Sequence, residues 1–105
     1  MKSIKFEWDE AKNKINQAKH HVSFEEATSV FYDENAILFD DPDHSKDEDR
    51  FLILGVSDKL HTCIVSHCYR DKDKIIRIIS ARKATKRETS IYNNQGEGKW
   101  GKNTT

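Results

Sequence analysis

Ile75-Ile76-Arg77-Ile78-Ile79-Ser80-Ala81-Arg82-Lys83-Ala84-Thr85-Lys86-Arg87-Glu88 reads as a buried strand that runs into a basic turn and then into a helix. The isoleucines predict a strand over Lys74 to Ser80. Thr85 and Glu88 have capping-box spacing and open a helix to about Asn93. Arg77 interrupts the apolar run. A guanidinium keeps its proton and is rarely buried unless it meets an anion or several acceptors. Arg82, Lys83, Lys86 and Arg87 follow at once, and several cations on a rigid frame suit a phosphate-bearing ligand. The plainer alternative for Arg77 is a structural pairing with a buried carboxylate.

Outward from this stretch the chain alternates strands and helices. Arg50 to Val56 and Leu60 to Tyr69 read as strands paired across the Ser57-Asp58-Lys59 turn. Ala36 to Asp40 and Ile4 to Trp8 are shorter strands, and Asp41 to Asp49 is an exposed loop. Asp9 is suited to cap a helix that runs to about His20, with Ala11, Ile15, Ala18 and Val22 near one face. Ser23-Phe24-Glu25-Glu26 has the form of a second capping box, stapled by Val22 and Ala27, and Phe24, Ala27, Val30 and Phe31 point inward. The order β-α-α-β-β-β-β-α predicts an α+β fold with helices packed on a mostly antiparallel sheet. Residues 1–94 form one domain, and 95–105 read as a disordered polar tail.

The chain has 105 residues, 35% hydrophobic and 34% charged, so its core is small. Net charge is zero, which argues against nucleic-acid binding by bulk charge, but the distribution is uneven. Eight acidic side chains and one lysine fall between Asp33 and Asp49, whereas eight basic and three acidic ones fall between Arg70 and Glu88. Cys63 and Cys68 lie an odd number of positions apart in one strand, hence on opposite faces, and read as reduced residues of a cytoplasmic protein. No secretory signal or membrane-spanning run is evident. No metal motif is complete: Asp41, Asp43, Ser45 and Asp47 suggest a calcium loop, but Lys46 replaces its glycine.

These segments resemble the BrnT family of ribonuclease toxins from type II toxin–antitoxin systems. The resemblance rests on Ile75 to Glu88 together with Phe6-Glu7-Trp8-Asp9, Lys12, Asn16, Lys19-His20, Val22-Ser23-Phe24, Ala27, Val30-Phe31, Arg50, Gly55, His67 and Tyr69-Arg70. It covers all but the residues after Asn94. His21 departs from it, because the family usually has glycine there. The resemblance implies a RelE-like fold and cleavage of RNA that blocks translation without metal or other cofactor. It also implies neutralisation by a BrnA-like antitoxin, with promoter DNA reached only through that complex.

Metal-free RNA cleavage needs a base for the ribose 2′-hydroxyl, cations for the phosphate and an acid for the departing 5′-oxygen, and leaves a 2′,3′-cyclic phosphate. Arg77 and Arg82 are the expected phosphate contacts, Arg82 standing between strand and helix near backbone N–H groups. Arg50 could reach the same phosphate or pair with Asp47 or Asp49. His67 is the acid–base candidate among five histidines, and a sheet histidine with a structural bond is the alternative. His67 and Arg77 share a face only if Arg70 stands opposite Lys74; a one-residue slip parts them. Lys12, Asn16, Lys19 and His20 share a helix face that reads either as RNA contact, with a lysine or histidine base, or as an ordinary solvated face. Tyr69 could stack a base, Arg70 adds charge beside it, and Lys83, Lys86 and Arg87 form a steering surface. A non-catalytic RNA-binding module and a repressor subunit working with a DNA-binding partner are the rival readings.

Overall fold

The computed structural model describes residues 4–41 and 49–95. Its elements are β1 (Lys5–Glu7), α1 (Glu10–His20), α2 (Phe24–Val30), β2 (Ile37–Asp40), β3 (Phe51–Val56), β4 (Thr62–Arg70), β5 (Ile75–Lys83) and α3 (Lys86–Asn94). The order and the α+β class agree with the sequence reading. The five strands form one sheet, β1-β5-β4-β3-β2, in which only β1 and β5 run parallel. Most of the acidic loop, residues 42–48, and the tail from 96 onward lie outside the described residues. No helix among the described residues is long and apolar enough to cross a membrane.

One face of the sheet carries α1 and α2. Val22, Phe24, Ala27 and Val30 pack there on Ile53, Cys63, Val65, Ile78 and Ala81, flanked by Phe6, Trp8, Phe31 and Ala36. At Gly55 the end of α2 comes close to the sheet: a Cβ there would stand 3.0 Å from both Ala36 Cβ and Val30 Cγ1. The opposite face, called the open face below, carries neither α1 nor α2. Cys63 and Cys68 are both free and buried, and they face opposite sides as expected. Burial pushes the Cys63 thiol up to about 11.

α1 packs with the opposite side to the one its apolar spacing suggests. Ala11, Ile15 and Ala18 are exposed, Ile15 by 66%, while Asn13 and Asn16 are buried. The reason is the shortness of β1. It pairs with β5 only from Ile75 to Arg77, so the outward backbone groups of β5 farther along need other partners. Asn16 supplies them: Ala81 N donates to Asn16 Oδ1 at 3.2 Å, and Asn16 Nδ2 donates to Ala81 O at 2.8 Å and to Val22 O at 3.0 Å. Asn13 accepts from Phe24 N at 2.8 Å and so ties α1 to the first turn of α2.

Other local readings are refined. β5 continues to Lys83, so Arg82 lies within the strand rather than after it. β4 begins at Thr62, because Leu60 adopts φ 64° and closes a turn in which Ser57 N donates to His61 O. The Thr85–Glu88 capping box forms completely. The Ser23–Glu26 box forms only half: Ser23 accepts from Glu26 N, but the Glu26 carboxylate turns away to Ser57 Oγ at 2.6 Å and His61 Nδ1 at 2.8 Å.

Two stability outcomes follow from α1. Asn16→Ala strands three buried backbone groups and should cost about 2–4 kcal/mol, measured by urea unfolding. His21, the C-cap of α1, holds φ 62° and is exposed. His21→Gly should relieve a left-handed penalty of about 1 kcal/mol and raise the melting temperature by about 4–8 °C.

Candidate active site

The pairing of β4 with β5 decides which side chains share the open face. At the hairpin end Arg70 stands opposite Ile75, Cys68 opposite Arg77 and His67 opposite Ile78. At the other end Ser66 stands opposite Ser80 and Ile64 opposite Arg82. Ile79 is therefore an extra residue, a bulge beside Ser66 and His67. In an unbroken strand Arg77 and Arg82, five positions apart, would face opposite sides. The bulge restores them to one side, so Arg77, Ser80 and Arg82 line the open face with Ser66 and Cys68 of β4.

The same register removes His67 from a joint site with Arg77. His67 faces the helices, is 0% exposed and stacks edge-on against Phe31 at 4.8 Å and Tyr69 at 5.4 Å. Its Nδ1 lies 3.1 Å from Val65 O. A carbonyl only accepts, so Nδ1 carries the proton and Nε2 is left a bare acceptor, with no partner among the described residues. Burial lowers its pKa below the ordinary value, which keeps the ring neutral. The turn runs from Asp71 to Lys74, one residue longer than the three-residue turn that would align His67 with Arg77. Asp71, Lys72 and Asp73 all adopt positive φ, and Lys74 N donates to Arg70 O and Asp71 O.

α1 supplies the other wall of the site. A cleft of about 90 Å³ is lined by His20, Leu52, Ile64, Ser66, Ser80 and Arg82. It meets a second, of about 230 Å³, in which Lys12, Ile15, Lys19 and His20 face Ile79 and Ser80. His20 and Ser80 border both. His20 thus lines one cleft with Arg82 and the other with Lys12 and Lys19, and Asn16 lies beneath them as the anchor to β5.

Both arginines are already paired. Arg82 Nη1 and Nη2 donate to the two oxygens of Glu88 at 2.8 and 2.9 Å, and Nη1 also reaches Lys83 O at 3.3 Å. Of its five N–H groups, Nε–H and one Nη2–H have no partner among the described residues, and these two form a parallel fork suited to a phosphate. The Arg82 bonds, then those from the α3 cap, hold the Glu88 carboxyl down at about 2. Arg77 Nη1 donates once, to Glu7 Oε2 at 2.9 Å. Glu7 stands directly opposite Arg77 in the parallel pairing, and sequence reading gave it no role; its alternation with Phe6 in β1 was the available signal.

The remaining positions lie farther out. Arg50 stands one residue before β3, and alternation places it on the Leu52 side, toward Cys68. Its backbone C=O accepts from Asp41 N. Tyr69 packs against Phe51 on the helix side and borders two larger clefts at the hairpin end, one of which Arg70 also lines. Lys83 is exposed and points to the side opposite Arg82, while Lys86 and Arg87 are exposed in the first turn of α3.

The profile of the family described as "Ribonuclease toxin, BrnT, of type II toxin-antitoxin system" matches residues 8–88. No curated protein matches the chain. Among solved structures, the crystal structure of the Brucella abortus ribonuclease toxin BrnT superposes with a TM-score of 0.61 at 24% identity, covering 80% of this chain and 100% of that one. That likeness supports the fold.

The Glu88–Arg82 pair has a defined pH signature. Because the Glu88 carboxyl is depressed from 4.5 to about 2 in the fold, its stabilisation is present above pH 4.5 and is lost as pH falls toward 2. The stability gap between wild type and Glu88→Gln should therefore be constant above pH 5 and shrink between pH 4.5 and 2, as read by thermal melts.

Proposed function

The chain belongs to the BrnT family of ribonuclease toxins of type II toxin–antitoxin systems, and from that premise we propose that it is a cytoplasmic endoribonuclease whose active site spans the open face of β5 and the clefts along its edge beside α1. The observation that carries this is the bulge at Ile79, which brings Arg77 and Arg82 onto one face, with Arg82 in a cleft that His20 shares with a second cleft holding Lys12 and Lys19. A basic track with a phosphate fork fits a polyanionic strand. In this reading cleavage is metal-independent, with the arginines as the groups that hold the phosphate. The 2′-oxygen attacks its neighbouring phosphate, the arginines hold the charge that builds on the non-bridging oxygens, and a 2′,3′-cyclic phosphate and a 5′-hydroxyl result. His20 takes the acid–base part that His67 is too enclosed to play, and gives its proton to the leaving 5′-oxygen. Arg50 and Arg70 extend the track toward the hairpin end. Lys83, Lys86 and Arg87 raise the local concentration of RNA. Cleavage blocks translation, and a BrnA-like antitoxin restores growth and carries the pair to promoter DNA.

One observation favours the rival reading of a module that binds RNA without cutting it: each arginine has a carboxylate partner that weakens its pull on phosphate. The two readings separate in excess EDTA. Purified protein should cleave a defined RNA to 2′,3′-cyclic phosphate ends, and Arg77→Ala and Arg82→Ala should each lose about 100-fold or more in kcat/KM. RNA that is bound but left intact by folded wild type would support the module instead.

A further inference from the structure

We propose that Glu7 is the general base of the ribonuclease reaction, which takes the proton from the ribose 2′-hydroxyl beside the phosphate held by Arg77. The inference rests on the ribonuclease reading above. Arg77 and Arg82 each touch one carboxylate among the described residues, Glu7 and Glu88, and the two differ in what they can do. Glu88 accepts two bonds from Arg82 and one from Thr85 N at 2.8 Å. Both its oxygens are occupied, and a carboxyl held near 2 is a poor base at neutral pH. Glu7 accepts a single bond, through Oε2, and its side chain is 41% exposed. Its Oε1 has no partner among the described residues and is open to a substrate hydroxyl.

The placement also fits. β1 is an edge strand, so a ribose can approach Glu7 from outside the sheet while Arg77 reaches in from β5. An arginine that bonds one carboxylate oxygen and keeps four N–H groups can hold the phosphate and orient the base together. Glu7 removes the 2′-proton; the 2′-oxygen forms its bond to phosphorus as the bond to the 5′-oxygen breaks. That oxygen leaves with the electron pair and takes a proton from His20. Glu7 then returns its proton to water, and His20 takes one back from it. By register, the charged groups beside Glu7 are Arg77 from β5 and Lys5 on its own strand, while Arg70 stands two strands away opposite Ile75. Asp9, just beyond, is committed to the backbone of Ala11 and Lys12.

The alternative is a staple that only fastens β1 to β5. Glu7→Gln separates the two, because its amide oxygen still accepts from Arg77 but cannot take a proton. The expected result is a fall in kcat/KM of about 10²–10⁴-fold with loss of the acid limb of the pH–rate profile. Binding of a 2′-deoxy analogue of the same RNA should stay within about threefold. Glu7→Asp should keep the acid limb at reduced rate, and it carries the test should the glutamine variant fold poorly. Near-wild-type cleavage with the acid limb intact in Glu7→Gln, or an acid limb absent from a folded Glu7→Asp that still cleaves, overturns the assignment and leaves the ribonuclease standing. No cleavage by wild type overturns both.

Discussion

One surplus residue in β5 is the constraint on which this molecule turns. Side chains of a strand alternate, so Ile78 and Ala81, three positions apart, could not both enter one core, nor could Arg77 and Arg82 share one surface. The bulge at Ile79 resolves both conflicts at once. It sends Ile78 and Ala81 under the helices, where each is at most 2% exposed, and turns Arg77, Ser80 and Arg82 outward. Were Ile79 instead taken into the ladder, Arg82 would be driven against Val65 and Cys63 while Ala81 faced away from the helices. Burying a guanidinium in that layer costs several kcal/mol. The packing of a small core and the building of a basic face are therefore one event.

The second constraint is the brevity of β1. It leaves part of the β5 edge without a neighbouring strand, and Asn16 fills the gap with a side-chain amide that imitates a peptide group. This fixes α1 along β5 by polar bonds of fixed direction rather than by apolar contact alone. Direction matters here, because hydrogen bonds specify rotation about the helix axis as general hydrophobic burial does not. With Asn16 pinned to Ala81, Lys12, Lys19 and His20 must flank Ser80. The residue that satisfies the backbone is thus also the one that positions the cations.

Element order, fold class and most boundaries were legible, because they rest on local signals: the isoleucine run of β5, the Thr85–Glu88 cap and the Asp9 cap. What failed depends on partners distant in sequence. Apolar spacing chose Ala11, Ile15 and Ala18 as the inner face of α1, and the unpaired β5 edge overrode it. Alternation made His67 a mid-strand candidate, but the turn length that sets its face is a single residue's choice, made by three non-glycine residues at positive φ. Glu26 looked like a cap residue and instead serves Ser57 and His61, which lie beyond β3. Arg77 stands out as a cation inside an apolar run and Arg82 as one ahead of a helix cap, but no sequence signal marks the bulge that sets them on one face.

The carboxylates on the two arginines bear on how a chain of zero net charge can hold RNA. An ion pair presents a dipole, not a charge, to a distant phosphate, so Arg77 and Arg82 contribute little to long-range attraction. Lys12 and Lys19 in the clefts, which have no ion-pair partner among the described residues, act over that range. At contact the order reverses. A lysine is a mobile point charge on a flexible stem, whereas a guanidinium already fixed by a carboxylate loses little further freedom when it meets a phosphate. Glu88 fixes Arg82 at two points and Glu7 fixes Arg77 at one. The helix lysines therefore gather the strand, and the carboxylate-held arginines set where along it the reacting phosphate comes to rest.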